Sequence, residues 1–80
     1  MSPSETAGAT LVFTVEGMHC ASCGLLIDEF VEELPDVSRS ITDVGRGRTV
    51  VTLRRVPDGD TPARVAATIA EAGYTAHPAP

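Results

Sequence analysis

Leu11-Val12-Phe13-Thr14-Val15-Glu16-Gly17-Met18-His19-Cys20-Ala21-Ser22-Cys23 is the stretch on which the fold turns. Leu11, Phe13 and Val15 alternate with Val12, Thr14 and Glu16, the period of a half-buried strand. Gly17 ends it. Beyond Cys23 the period changes. Ile27, Phe30, Val31 and Leu34 fall at i, i+3, i+4 and i+7, one face of a helix. The two cysteines, the only ones in the chain, therefore sit on a strand-to-helix turn, with Cys20 before the helix and Cys23 opening it. Thiols so placed converge on one soft metal ion or close into a reactive disulfide. A thiolate pair is the ligand set that a soft, low-coordinate ion such as Cu(I) prefers. The free N–H groups and partial positive charge of a helix N-terminus favour the thiolate form.

Outward from that turn, Asp28, Glu29, Glu32 and Glu33 lie on the polar side of the helix. They read as a solvated face, with docking against a basic patch as the alternative. Pro35-Asp36 stops the helix. Residues 37–44 and 49–56 are rich in β-branched side chains, and Gly45-Arg46-Gly47 between them reads as a hairpin turn. Pro57-Asp58-Gly59-Asp60 reads as a loop. Thr61 is the expected cap of a second helix, with Pro62 at its first position. Val65, Ile69 and Ala72, with Ala66 beside them, mark its buried side, and Gly73 its stop. Residues 74–77 make a short last strand.

The order βαββαβ is the split βαβ, or ferredoxin-like, arrangement, an α+β fold with a four-stranded antiparallel sheet and two helices on one face. Parity in the hairpin is imperfect. Ser40, Thr42 and Val44 share one face and Val37 and Ile41 the other, so neither is cleanly apolar. A bulge or a partly polar inner face is expected there.

Eighty residues make one small domain, and 42% hydrophobic composition is enough for its core. Residues 10–77 are assigned to the domain, 1–9 to a flexible N-terminal tail and 78–80 to a C-terminal tail. The start at Met1 and the end soon after the last strand fit a free-standing protein, and an excised domain would look the same. No apolar run exceeds three residues (Leu25 to Ile27), so no membrane insertion is expected. The N-terminus lacks a basic segment followed by an apolar one, so no secretory signal is read. The expected compartment is the cytoplasm, where a cysteine pair is more often metal-binding or catalytic than structural. The net charge is −5, with every basic residue an arginine, which argues against nucleic acid. It suits a partner with a positive surface, or simply solubility. No nucleophilic triad, paired carboxylates at a cleft or phosphate-binding glycine loop is evident, so no enzymatic turnover is expected.

Gly17-Met18-His19-Cys20-Ala21-Ser22-Cys23 in this setting resembles the hallmark of the heavy-metal-associated domain. The Ile27, Val31, Leu34 spacing and the Val65, Ile69, Gly73-Tyr74 ending extend the resemblance from about Leu11 to Ala76. That family includes bacterial copper chaperones, N-terminal domains of copper-exporting P-type ATPases and mercury-binding proteins. The resemblance implies that Cys20 and Cys23 are the metal ligands. It implies that Met18 packs into the core under the loop and that Tyr74 lies on a nearby loop that approaches the site. It also implies delivery of Cu(I) by ligand exchange to a partner with a similar motif. In one departure, His19 stands where the family usually has Thr or Ser. Zinc- and cadmium-handling members often carry an acidic residue there, which this chain lacks.

Read as chemistry, two thiolates and no obligatory third ligand suit Cu(I) in near-linear geometry. Zn(II) would want four ligands, and the chain adds only two dispersed histidines. An open two-ligand site also admits an incoming thiolate, so metal can pass without release to water. The Met18 thioether could bind Cu(I), although core packing is the expected role. His19 has three readings: a third ligand in a copper-bridged homodimer, a proton-sensitive modulator of the thiolates, or a solvated loop residue. Tyr74 is expected to pack after Gly73 with a side effect on the site. His77 is read as a surface residue away from the loop.

The leading function is a cytosolic copper chaperone serving a copper-exporting P-type ATPase. Alternatives are the N-terminal metal-binding domain of such an ATPase, or a mercury-binding protein. From another class comes a thiol-disulfide oxidoreductase of thioredoxin type, against which stand the missing Trp beside the motif and the small number of strands.

Overall fold

A computed structural model describes residues 9–54 and 59–79. Along the chain run β1 (Thr10–Glu16), α1 (Ala21–Glu32), β2 (Val37–Asp43), β3 (Arg48–Leu53), α2 (Thr61–Glu71) and β4 (Thr75–Pro78). This is the expected ferredoxin-like βαββαβ order. The strands pair antiparallel in the order β2-β3-β1-β4. Residues 1–8 of the tail expected over 1–9, the strand end through Val56, the loop residues Pro57 and Asp58, and Pro80 lie outside the described residues.

Alternation does its work in β1 and β3. Phe13 and Val15 are buried with Val51 and Leu53, against Ile27 and Val31 of α1 and Val65 and Ile69 of α2. Phe30, expected on the inner face of α1, is only half-buried, as is Ala72, expected on the inner face of α2 and found as its C-cap. Both features foreseen for the hairpin are present. A register shift between Val37 and Arg39 is the bulge. It lets Val37 and then Ser40 both turn inward, while Ile41 stays 52% exposed on the open face of the sheet. The inner face is partly polar, with Ser40 and Thr49 buried.

That polar seam corrects the reading of the acidic helix face. Glu29 and Glu33 are exposed, but Asp28 and Glu32 are bonded to β2. Asp28 Oδ1 accepts from Ser40 Oγ and from Thr42 Oγ1, each at 2.8 Å, and Asp28 Oδ2 accepts from Thr42 N–H at 3.2 Å. Since Thr42 donates its proton to Asp28, the Thr49 hydroxyl 2.8 Å away donates to Thr42. Each buried hydroxyl is thus satisfied, which low dielectric demands. Close approach of α1 is made possible by Gly24, where a Cβ would lie 3.0 Å from Val44 Cγ2.

Element ends differ from expectation at several points: α1 stops at Glu32, so Leu34 lies beyond it, β2 stops at Asp43 before Val44, and β4 starts at Thr75 after Tyr74. α2 starts at Thr61 itself, with Asp60 as its N-cap residue and Pro62 second in the helix. Proline is tolerated there because first-turn N–H groups have no intrahelical partner. Cys20 is the N-cap of α1, so Cys23 is its third residue. Ala9, Pro78 and Ala79, expected in tails, join the sheet: Leu53 N–H bonds Ala9 O, Pro78 pairs with Phe13, and Ala79 N–H bonds Val12 O. β4 is an edge strand, where proline costs no ladder bond.

Candidate metal centre

The loop between β1 and α1 is shaped by its first and last residues. Gly17 has φ +97°, a left-handed conformation that costs a side-chain-bearing residue about 1–2 kcal/mol. Cys20 is extended, with φ −155° and ψ 166°. The chain then turns into α1, and Cys23 N–H bonds Cys20 O at 3.0 Å. This turn brings the two sulfurs to 3.4 Å as free thiols, Cys20 exposed and Cys23 half-buried. Ser22 was given no role by the sequence, yet its Oγ lies 3.0 Å from Cys20 Sγ. A hydroxyl two residues into a helix that begins on cysteine was the available signal.

The other expected residues fall into two groups. Met18 is half-buried and packs against the core. Tyr74 reaches the loop because α2 ends in a Schellman motif. Gly73, at φ +103°, donates to Ala70 O at 2.9 Å, and Tyr74 N–H donates to Ile69 O at 3.3 Å. The reversal throws the Tyr74 ring over the loop, where its Cδ1 is 3.6 Å from the position a Cβ on Gly17 would take. By contrast, His19 is exposed, and among the described residues no group of three His, Cys, Asp or Glu side chains forms around the sulfurs. His77 is exposed on β4, its Nε2 3.0 Å from Glu16 Oε2.

Electrostatics distinguish Cys23. A hydrogen bond from the Tyr74 hydroxyl is the main cause that holds its thiol down, from 9.0 to about 6. Bonds from the backbone at His19 and Cys20 and from the Cys20 side chain add to it, and partial burial opposes them. The same contact raises Tyr74, because ionisation would remove the proton it donates to Cys23; desolvation and the nearby sulfur charges add to the rise. A thiolate stabilised at neutral pH beside a second, exposed sulfur can hold a soft metal ion or attack an electrophile.

The heavy-metal-associated domain family model matches residues 12–75. Compared by sequence with curated proteins, the chain has no match. Among solved structures, the N-terminal domain of the zinc(II) ATPase ZiaA, in its apo form, is 33% identical, with TM-score 0.71, covering 88% of this chain and 64% of that one. The N-terminal domain of PacS from Synechocystis PCC6803 is 25% identical, with TM-score 0.78, covering 90% of this chain and 98% of that one. The yeast copper transporter domain Ccc2a, solved in apo and Cu(I)-loaded states, shares the fold at 18% identity and TM-score 0.76, covering 89% and 94%. With the family match spanning both cysteines, most of β1, and α1, β2, β3 and α2 in full, the chain belongs to the heavy-metal-associated domain family.

Proposed function

We propose that the chain carries Cu(I) as cargo on the thiolates of Cys20 and Cys23 and passes it by ligand exchange to a copper-exporting P-type ATPase in the cytoplasm. The observation that carries this reading is the sulfur pair itself, 3.4 Å apart at the exposed start of α1, with no third His, Cys or carboxylate grouped with it among the described residues. Two thiolates satisfy Cu(I) and leave Zn(II) two ligands short. At metal–sulfur distances of about 2.3 Å, the value for zinc, a linear S–metal–S unit needs the sulfurs about 1 Å further apart than they stand. Cys20, exposed on an extended residue, is the one free to turn.

The asymmetry of the pair suits transfer. Cys23 is held as thiolate by Tyr74 and the backbone. Cys20 faces solvent, where an incoming thiolate can bond the ion as the Cys20 bond breaks. The Cys23 bond breaks last, as a second partner thiolate takes its place. Two metal–sulfur bonds form and two break, with no change of oxidation state. The similarity to the N-terminal domain of the zinc(II) ATPase ZiaA supports a partner of that kind, and equally the reading that this chain is itself such a domain.

The ZiaA domain gives zinc a specific claim, against which stands the two-sulfur donor set. Transfer is tested by mixing Cu(I)-loaded, 15N-labelled chain with the metal-free PacS N-terminal domain under anaerobic conditions. Ligand exchange predicts a transfer rate that rises with acceptor concentration. A rate independent of acceptor, equal to release into a chelator, would refute the carrier route.

A further inference from the structure

The two edges of the sheet are β2 and β4. An edge strand presents outward N–H and C=O groups that template pairing with another strand. β4 is four residues long and ends in Pro78, so it offers little. β2, with seven residues, is the edge that could accept a strand. Its N–H groups at Ser40 and Thr42 point away from β3, and both are occupied. Ser40 N–H donates to Glu32 Oε2 at 2.9 Å, and Thr42 N–H to Asp28 Oδ2 at 3.2 Å. These alternate positions are the ones an added antiparallel strand would use.

We propose that Asp28 and Glu32 are a lock on the β2 edge, and that the surface they close is a strand-addition site for a second copy of this chain. The residues of β2 argue for that occupant. Antiparallel β2–β2 pairing about a two-fold axis at Ile41 sets residue 40 against 42 of the other copy, so the two freed N–H groups find carbonyls in both directions. It also sets Ile41 against Ile41 and Arg39 against Asp43. These side chains are exposed on the open sheet face, and the pairs fall at the non-hydrogen-bonded positions where side chains come closest. The strand is therefore self-complementary in shape and charge. At present Asp43 Oδ1 accepts Arg46 N–H at 3.2 Å, and Asp43 Oδ2 lies 3.7 Å from the exposed Arg46 Nε, an ion pair that competes weakly with Arg39.

The test compares wild type, Glu32→Ala and Asp28→Ala/Glu32→Ala by sedimentation velocity over a concentration series, with amide exchange read at Ser40 and Thr42. Wild type stays monomeric. In dilute Glu32→Ala the Ser40 amide exchanges about tenfold faster, the effect of losing one charge-assisted hydrogen bond. At high concentration that amide is protected again as dimer forms. Arg39→Asp added to Glu32→Ala abolishes the dimer, and Asp43→Arg added to both restores it. Glu32 is a surface residue with one bond to β2, so its variant decides the matter even if the double variant unfolds. A folded Glu32→Ala that stays monomeric at every concentration would overturn the proposal. So would a Ser40 amide as protected as in wild type, or a dimer indifferent to Arg39→Asp.

Discussion

Replacing Tyr74 with Phe removes one oxygen and keeps the ring that packs over Gly17. The hydroxyl is the largest influence holding the Cys23 thiol at about 6 rather than 9.0. At pH 7 a thiol at about 6 is roughly nine-tenths thiolate, and one at 9.0 about one-hundredth. The backbone groups and the Cys20 side chain remain in the variant, so a partial rise, from about 6 to about 7, is expected. The assay is alkylation of the metal-free, reduced protein by iodoacetamide from pH 5 to 10, with Cys23 read separately from Cys20 by peptide mass spectrometry. Rate at a single pH is a poor readout. A thiol with a higher pKa is also a better nucleophile, by about threefold for a tenfold change in acidity. At pH 6 the thiolate fraction drops about fivefold, so the net rate falls only about twofold, while the high-pH plateau rises about threefold. The midpoint is the clean quantity. It moves up in Tyr74→Phe. A midpoint at the wild-type value would refute the assignment of Tyr74 as the principal stabiliser of the thiolate.

The same ionisation couples to folding. Because the folded-state pKa of Cys23 is depressed, its stabilisation is complete above about pH 9, diminishes below that, and is gone once pH has fallen through about 6. Melting temperatures of the metal-free protein should rise across that window, and the Cys23→Ser variant should lose this component of the rise. Gly73→Ala, at φ +103° in the turn that delivers Tyr74, should cost about 1–2 kcal/mol in urea unfolding and also raise the Cys23 alkylation midpoint. A variant that loses stability with the midpoint unmoved would separate the turn from the site.

Much of the fold and of the centre is legible in the sequence because it rests on periods and local stops. β1 and α1 follow from the change of period around Cys20 and Cys23, and Gly73 from its place after the last apolar residue of α2. The bulge in β2 is legible as a conflict: no single parity turns both Val37 and Ser40 inward. The roles of Asp28 and Glu32 are not legible. A helical wheel places both on a polar side but cannot say that this side overhangs an edge strand. The hydrogen bond from Tyr74 to Cys23 joins residues from opposite ends of the chain, so no local pattern reveals it, although Gly73-Tyr74 is readable as a turn. The start of α2 falls on Thr61 rather than after it because Thr61 and Pro62 both fit a first turn.

Anaerobic competition for Cu(I) between the reduced protein and a chromophoric chelator, run beside the Cys20→Ser/Cys23→Ser variant, tests the central claim most directly. One Cu(I) bound tightly per chain, and lost in the variant, is the predicted result. Binding that is weak, or that survives loss of both sulfurs, would contradict it.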